Sequence, residues 1–554
     1  MFFALFSLVA SFYVNLDVGS QFIRAATIDG SENPSMALNK QGSTLTPNSV
    51  SFKLPNVQEG HLRNSNLSQI QVKYGKSSLR NLKKNPEMGA PYIGRLMGRN
   101  YTEDFEIPKI ATASEMFSLL LNEMFDSKDL FGYEGITFTV PGYFTHKQRE
   151  AYIKSLYISK LPFLGIIDDF QSIIFGYTKR YLSRFANSNH TVLFIDVGAS
   201  HAASFLVDFY CNKTTIVANM TSYEWSEETG SFAFARVLAS EKGIPFRKAM
   251  KLVQEGKFDK DIIESELEEL QRIILLALGN TEIDCVQLIG GASKLPYIEA
   301  IVEEITDMRP SRELATVEAM ALGGTYLTQL IARSQEWPIT IIRCPVYTER
   351  VRCDKVSGVY CTKGAKCTEL VILDNTICNS LQIEAEQTEI PTGTTNLIAD
   401  FTLTNISKWD REEEEFVSGI MIMKDPLPQI VSVNWCITST LNCQPISFKQ
   451  TEINTKSFQA SFDFVDQVSS ILLKEKRISK LRGQINARIE ELILHGNLSP
   501  AEKEKYEKIH QDSLIVSEIP KLEQIYRSIM PEEKKETKKV NPNEMFFVED
   551  DECL

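Results

Sequence analysis

One short pattern occurs twice in this chain and constrains its fold more than any other feature. The stretches NLDVGSQF and FIDVGASH both run from an apolar segment through Asp-Val-Gly into a small residue, and their aspartates, Asp17 and Asp196, are 179 residues apart. An apolar run, a tight turn and a second apolar run are typical of a β-hairpin, here with a carboxylate close to the bend. A repeated hairpin of this kind predicts two similar lobes that face one cleft.

The two hairpins predict a site for a phosphorylated ligand. Turns of this shape present backbone N–H groups to an anion, and a carboxylate at the bend can hold a small hard cation such as Mg²⁺, through water. We therefore expect Asp17 and Asp196 to hold the metal, and the turn residues to contact phosphate. These turn residues are Gly19, Ser20 and Gly198.

A third segment, VQLIGGASKLPYIEAI, adds a candidate to the same cleft. A strand ends in Gly290-Gly291 and a helix begins near Pro296, so that a ligand can approach the backbone closely beside a helix N-terminus. Ordinary turn chemistry explains the two glycines equally well. Small residues in two further segments predict that helices cross closely between the lobes, although ordinary helix packing explains each one singly; they are Ser172, Gly176, Ala319, Gly323 and Gly324.

The chain changes character along its length and predicts a multidomain protein. Apolar strand-like runs alternate with helical stretches over residues 14–333, which indicates α/β architecture. Here Thr145 and Gln148 are spaced as a capping box that begins a helix. A short linker at 334–339 leads into a β-rich domain at 340–465, followed by a helical region at 466–530. The segment 531–554 is charged and lacks periodicity, so we expect a disordered tail.

The helical region carries an apolar residue every seven positions. Ile471, Ile478, Ile485 and Leu492 form this stripe, with Leu481 beside it. A packing face against neighbouring helices and a coiled-coil seam both produce such a stripe, and four repeats do not decide between them.

Charge and the N-terminal residues narrow the class of protein. The net charge is −13, which argues against nucleic acid as a partner because phosphate binding requires a basic surface. Residues 2–14 are apolar, and we interpret residues 1–13 as a signal peptide; a buried first strand is the alternative. We expect no membrane-spanning segment, because no other run is long and apolar enough.

Cysteines and glycosylation motifs favour an oxidising compartment. Seven of the ten cysteines lie within one hundred residues and lack paired Cys-x-x-Cys steps, so disulfides are the better interpretation. They are Cys344, Cys353, Cys361, Cys367, Cys378, Cys436 and Cys443. Seven Asn-x-Ser/Thr motifs are weak additional support because chance supplies several; they begin at Asn66, Asn100, Asn189, Asn212, Asn219, Asn405 and Asn497.

The order of these elements resembles the actin, sugar-kinase and heat-shock ATPase superfamily. FTVPGYFTHKQREA is similar to the T-V-P-A-Y-F-x-x-x-Q-R segment of the heat shock protein 70 family, and QLIGGASKLPYI resembles its L-V-G-G-S-T-R-I-P motif. LRNLKKNPEMGAPYIGRLMGRNY resembles that family's asparagine-proline stretch ending in Leu-Ile-Gly-Arg. Within the family, NLDVGSQFIRAA together with the signal sequence and the many glycosylation motifs looks closest to the large lumenal branch of the endoplasmic reticulum, the glucose-regulated protein 170 type, although this chain is much shorter.

The resemblance implies a fold and a ligand. It implies an actin-like, two-lobed ATPase domain, a β-sandwich-like substrate-binding domain and a helical end, with ATP or ADP and Mg²⁺ as cofactors. Asp17 and Asp196 match the metal-positioning aspartates, and Ser20 matches a phosphate-binding threonine. Asp169 matches the acidic residue that orients the attacking water, and Gly230 lies in the glycine motif of the second lobe.

Several positions depart from that pattern and weaken the implied hydrolysis. The catalytic lysine falls at Leu79, which we expect on a strand beside Arg80, and His201 replaces the threonine of the second hairpin. Lys294 stands where an adenine-stacking arginine usually lies. Only 60 residues separate Gly230 from Gly290, so the second lobe is shortened over 230–290 and the nucleotide would be held from one side only.

The resulting hypothesis is a divergent chaperone or co-chaperone of the endoplasmic reticulum lumen. Its partners would be unfolded or nascent polypeptides and a heat shock protein 70-type chaperone, for which it would act as a nucleotide exchange factor. ATP binding is compatible with the site, whereas hydrolysis is weak or absent. Two alternatives remain: a small-molecule kinase of the same superfamily, and a scaffold that binds no nucleotide.

Overall fold

The computed structural model describes residues 12–29, 33–55, 62, 65–100, 109–185, 188–212, 215–335, 339–353, 356–364, 370–374, 380–386, 388–404, 415–424, 427–437, 442–450, 458–495 and 498–530. The chain divides into two compact units, residues 1–465 and 466–554. Phe12 and Tyr13 of the predicted signal peptide begin the first strand; the rest of that segment and the predicted tail at 531–554 lie outside the described residues.

The first lobe is a sheet covered by helices. Its elements are β1 (Phe12–Val18), β2 (Phe22–Ile28), β3 (Ser35–Met36), β4 (Thr46–Pro47), β5 (Val50–Lys53), β6 (Gln71–Tyr74), α1 (Gly75–Asn81), β7 (Gly89–Ala90), α2 (Ala113–Phe125), β8 (Tyr133–Val140), α3 (His146–Ser159), β9 (Phe163–Asp168) and α4 (Asp169–Arg180). The main sheet has the order β3-β2-β1-β8-β9, and β4 also pairs with β2. Strand β1 runs antiparallel to β2 and parallel to β8, and its last five residues are all buried, as expected for a strand covered on both faces.

The second lobe repeats this plan. Its elements are α5 (Leu182–Phe185), β10 (His190–Val197), β11 (Ala202–Asn212), β12 (Thr215–Ser226), α6 (Ser231–Lys242), α7 (Phe246–Glu255), α8 (Glu264–Leu278), β13 (Cys285–Ile289), α9 (Pro296–Thr306) and β14 (Ile339–Ile342). Between α9 and β14 the chain forms α10 (Ala319–Ala332), which packs on β1, β2 and β8 of the first lobe and on α4. The sheet order is β13-β10-β11-β12-β14. The predicted boundary of the β-rich domain at 340 therefore falls inside a strand, because β14 pairs in parallel with β12.

Two local predictions are confirmed. Thr145 caps α3, and its side chain and that of Gln148 form the expected capping box. Helices α4 and α10 cross closely: a Cβ on Gly323 would lie 2.0 Å from the carbonyl oxygen of Ser172, and Gly176 faces Gly323. The small residues therefore allow the two helices to approach to backbone contact.

The β-rich domain is one antiparallel sheet of eight described strands. Its strands are β15 (Glu349–Cys353), β16 (Val356–Cys361), β17 (Leu370–Asp374), β18 (Ser380–Ala385), β19 (Leu397–Thr404), β20 (Glu415–Lys424), β21 (Leu427–Ile437) and β22 (Asn442–Gln450). They pair in the order β16-β15-β18-β19-β22-β21-β20-β17, and the end strands β16 and β17 approach each other. Cys361 is disulfide-bonded, whereas Cys344 is a buried free thiol whose pKa is raised by burial to about 12. The other five clustered cysteines lie outside the side chains that the structure describes.

The C-terminal unit is helical. Its helices are α11 (Gln459–His495, which begins seven residues before the unit), α12 (Pro500–Ile515) and α13 (Ile519–Ile529). Leu481, Ile485 and Ile489 of α11 are buried together with Leu522 and Ile529 of α13. Of the heptad stripe, Ile485 is buried and Ile478 partly buried in this cluster, so these two positions belong to a packing face between helices of the unit. None of the helices within the described ranges has the length and apolarity needed to cross a bilayer.

Candidate functional site

A cleft of about 430 Å³ lies where the two hairpin turns of the lobes meet. Ser20 of the first turn donates a 2.8 Å hydrogen bond from Oγ to Oγ of Ser200 in the second turn. Both lobes direct the carboxyl ends of parallel strands to this edge, where ligands of such sheets bind. The predicted residues that line the cleft are Asp17, Gly19, Ser20, Asp169, Asp196, Gly198, Gly290, Gly291 and Lys294.

Gly230 lies behind the second turn and outside the cleft lining. Its φ is +119°, and a Cβ there would approach the carbonyl oxygens of Gly198, Ala199 and His201 to 3.1–3.2 Å. The N–H of the next residue, Ser231, donates to the carbonyl of Gly198. Glycine is needed here because both the positive φ and the close carbonyls disfavour a side chain.

Arg24 belongs to the site and escaped the sequence reasoning. The antiparallel register pairs it with Asp17 across the first hairpin, and its Nη1 lies 3.1 Å from Oδ2 of Asp17. Burial raises the pKa of Asp17, while Arg24 opposes that rise. Asp17 therefore already has a cationic partner within the protein. The signal available in the sequence was the position of a basic residue directly opposite an aspartate in a predicted hairpin.

Asp196 lies one residue before the end of β10, and one of its two carboxylate oxygens has no partner in the part of the chain that the structure describes. Its side chain is buried, and within the described structure Oδ1 has no hydrogen-bond partner. Burial raises the pKa of Asp196 to about 7, the charge of Asp17 adds to this rise, and Arg24 opposes it. The group is poorly solvated as an anion and would be stabilised by a cation in the cleft.

Asp169 is the first residue of α4 and is held by backbone donors. Its Oδ1 accepts hydrogen bonds from the N–H of Gly142, at 3.0 Å, and of Phe170, at 2.7 Å. Burial raises the pKa of Asp169 well above its ordinary value, and the carboxylates of Asp196 and Asp168 add to the rise. A turn and a helix start therefore fix this carboxyl group against the carboxylate of the second hairpin.

His201 is the last residue of the second hairpin turn, directly before β11, and its side chain is buried. Its Nε2 lies 3.6 Å from Oδ2 of Asp196, and its ring packs edge-on against Tyr143 with 4.8 Å between centroids. Burial lowers its pKa to about 4, so the imidazole is neutral near pH 7. Sequence reasoning treated His201 only as a lost hydroxyl, whereas the structure directs a neutral nitrogen ligand toward the carboxylates.

The Gly-Gly turn lies directly against the second hairpin. Gly290 has φ of +88°, and a Cβ there would lie 2.2 Å from Oδ1 of Asp196. Gly291 faces open space in the cleft lining. The chain then makes a short 3₁₀ turn over Ala292–Lys294 and enters α9. The predicted close backbone approach is present at this turn.

Two expectations about the cleft walls are corrected. The shortened segment between Gly230 and Gly290 still closes one side, because residues 253–256 at the end of α7 line the cleft; the ligand would therefore be held from more than one side.

Leu79 and Arg80 lie in helix α1 rather than on a strand, because the segment folds as a helical turn after β6. Neither of these two residues lines the cleft.

The residues of the cleft fit a divalent cation. Three buried aspartates, Asp17, Asp169 and Asp196, face two basic side chains, Arg24 and Lys294. A polyphosphate would be repelled by these carboxylates unless a cation lies between them. The unpartnered oxygen of Asp196 is a suitable ligand for that cation, whereas Asp17 is engaged by Arg24.

Known proteins share part of this chain. The family model described as Hsp70 protein matches residues 227–417. The chaperone protein DnaK from each of two strains of Thermus thermophilus is 23% identical over 389 residues, covering 56% of this chain and 59% of DnaK. The chain thus spans about three fifths of the length of these curated relatives. It contains an Hsp70-family segment and has a weak homology to DnaK; the matched family segment begins after the second hairpin and ends in β20.

Proposed function

We propose that this chain is a divergent chaperone or co-chaperone of the heat shock protein 70 type, whose cleft binds ATP or ADP together with a divalent cation. One observation carries the proposal: the two hairpins and the Gly-Gly turn bring Asp17, Asp196 and Gly291 around a single cleft, in a chain with an Hsp70-family segment. The open backbone of the Gly-Gly turn and the N–H groups of the two hairpin turns suit phosphates.

The cleft supports slow hydrolysis at most. No lysine is present at the position of Leu79, which lies in α1 outside the cleft lining. A single positioned donor to a developing charge contributes on the order of a hundredfold in rate. Asp169 is fixed by two backbone N–H groups near Asp196 and could still orient a water. We therefore propose binding and a long-lived bound state as the main activity of the site.

Hydrogen bonds join the β-rich domain to residues around the cleft, so ligand binding in the cleft could change the position of the β-rich domain. Arg99 bonds to Glu227 beside the cleft and also donates to the carbonyl oxygen of Thr392 in the β-rich domain. Tyr347 donates from its hydroxyl to the carbonyl oxygen of Tyr143, the residue that packs on His201. The proposed clients are unfolded or nascent polypeptides, which would bind as added strands of the β-sheet. The proposed partner is a heat shock protein 70-type chaperone, for which this chain would act as nucleotide exchange factor.

We place this function in the lumen of the endoplasmic reticulum, close to the large glucose-regulated protein 170 branch. The apolar N-terminus, the glycosylation motifs and the disulfide at Cys361 support this address. Expression of the full chain in mammalian cells tests it: endoglycosidase H is expected to increase electrophoretic mobility. An unglycosylated chain in the cytosolic fraction would exclude the lumenal location.

Calorimetric titration of the full chain with ATP and ADP, in Mg²⁺ and separately in Mn²⁺, tests nucleotide binding. Gly291→Leu fills the cleft at a position with open space and ordinary φ, so at least a tenfold loss of affinity is expected without a folding defect. Gly165→Leu, at an equally open position outside the cleft lining, is the matched control. Absence of binding at millimolar nucleotide in both metals would exclude the proposed site and leave the scaffold hypothesis.

Suppression of aggregation of a denatured client protein tests the chaperone activity itself. We expect fewer aggregates in the presence of the chain and a change in this effect when nucleotide is added. Phosphorylation of a sugar by the purified chain, with no effect on the client, would favour the kinase alternative.

A further inference from the structure

A histidine and two aspartates gather at one point of the cleft. Potential ligand atoms of Asp169, Asp196 and His201 all lie within 4.8 Å of one another. The three side chains come from the start of α4, the end of β10 and the turn before β11, so three separate elements converge. All three residues are more than nine-tenths buried, with 3%, 2% and 7% of their surface exposed.

Two atoms of this cluster have no hydrogen-bond partner among the described residues. They are Oδ1 of Asp196 and Nε2 of His201, and Nε2 points toward the carboxylate of Asp196 at 3.6 Å. A buried polar atom without a partner costs free energy in the unliganded protein. Both atoms are lone-pair donors of the kind that bind metal ions.

The surroundings fix His201 in an orientation suited to coordination. Its other ring nitrogen, Nδ1, lies 3.4 Å from Oγ of Ser200, which accepts a hydrogen bond from Ser20. With the proton on Nδ1 donated to Ser200, the lone pair of Nε2 faces the carboxylates. Such an outer hydrogen bond selects the tautomer of metal-binding histidines.

Asp169 can contribute an oxygen without losing its own support. Both backbone donors, Gly142 and Phe170, bond to its Oδ1, so Oδ2 remains available. Two carboxylates and one imidazole supply three protein ligands and leave open positions for water or phosphate oxygens, as in sites where a metal contacts substrate.

We propose that Asp169, Asp196 and His201 directly bind one divalent cation of the Mn²⁺ or Zn²⁺ class in preference to Mg²⁺. Mg²⁺ favours oxygen ligands and retains its water shell, whereas an imidazole nitrogen favours transition metals. The proposal deepens the proposed function, since the same cleft would hold the nucleotide phosphates beside the metal. It assigns His201 the role of a ligand.

Titration of the metal-free full chain with Mn²⁺, without nucleotide, tests the proposal. Free Mn²⁺ is measured by electron paramagnetic resonance. We expect one bound Mn²⁺ per chain, displaced by equimolar Zn²⁺ but not by a hundredfold excess of Mg²⁺. Asp196→Asn and His201→Asn should each weaken Mn²⁺ binding at least tenfold. His190→Asn is the control. It removes a histidine at the start of β10, the strand that carries Asp196, but outside the cleft lining, and it should leave Mn²⁺ binding unchanged.

A second variant guards against a folding defect. His201→Cys replaces the imidazole by a thiolate, which favours Zn²⁺ over Mn²⁺, and should retain Zn²⁺ while losing Mn²⁺. Wild-type Mn²⁺ affinity in His201→Asn, or equal competition by Mg²⁺, would overturn the proposal. If the chain binds Mn²⁺ but no nucleotide, the proposed nucleotide-binding function is rejected and the metal proposal stands. If it binds nucleotide but its site prefers Mg²⁺, the metal proposal is rejected and the proposed function stands.

Discussion

Glu349 provides a sharp test of how burial sets charge in this protein. It is the first residue of β15, 6% exposed, and its Oε2 has no hydrogen-bond partner among the residues described. Burial raises its pKa from the ordinary 4.5 to about 7, with Arg343 opposing the rise. Because a tenfold change in proton affinity corresponds to about 1.4 kcal/mol, the buried carboxylate costs about 3 kcal/mol when it is ionised.

The sign of the pH dependence follows from where the proton is held. Between pH 4.5 and 7 the folded protein keeps the proton on Glu349 and the unfolded chain loses it, so stability falls as pH rises through this window. Below pH 4.5 both states are protonated, and above pH 7 the penalty is constant. Glu349→Gln imitates the protonated side chain at every pH, so it should stabilise the protein by about 1 kcal/mol at pH 5 and about 3 kcal/mol at pH 8.

Urea denaturation followed by tryptophan fluorescence measures this difference. Trp225 is a suitable reporter because its ring contacts Tyr347, two residues before Glu349, at 6.4 Å between centroids. Glu303→Gln, at an exposed position of α9, removes the same formal charge and serves as the control. An equal effect of Glu349→Gln at pH 5 and pH 8, or a loss of stability at pH 8, would refute the assignment of a buried, unpaired carboxyl group.

Three further changes have expected outcomes. Glu227→Gln should destabilise the first unit by about 3–5 kcal/mol in denaturant titration at pH 7, because it leaves the buried guanidinium groups of Arg95 and Arg99 without their carboxylate; a loss below 1 kcal/mol would contradict this. Gly323→Ala should lower the free energy of unfolding by about 3 kcal/mol, because its methyl group would meet the backbone of α4 at 2.0 Å. Gly483→Ala, in open space on α11, should instead stabilise the helical unit by about 0.5–1 kcal/mol, measured by thermal unfolding. A loss of stability in both glycine variants would show that packing is not the cause.

The parts of this structure that follow from local pattern could be predicted. A strand-turn-strand signal required only the residues around Asp17 and Asp196, and the capping box required only the three-residue spacing from Thr145. The close crossing of α4 and α10 followed from small residues at positions such as Gly323, because backbone contact excludes larger side chains.

The parts that depend on distance in space could not be predicted in the same way. Arg24 meets Asp17 only through the hairpin register, and His201 meets Asp169 only because two lobes close on each other. The position of the end of α7 beside the cleft likewise depends on how the shortened second lobe packs. The sequence pattern of residues 230–290 predicts helices but not where those helices lie relative to the cleft.

Strand β14 changes how motion can pass along the chain. A flexible tether would let the β-rich domain turn independently, but Ile339–Ile342 is bonded into the second-lobe sheet beside β12. Only residues 343–348 separate it from β15. The hydrogen bonds between β12 and β14 therefore couple the two parts of the chain. A rotation of the second lobe on ligand binding would move β14, and with it the first strand of the β-rich domain.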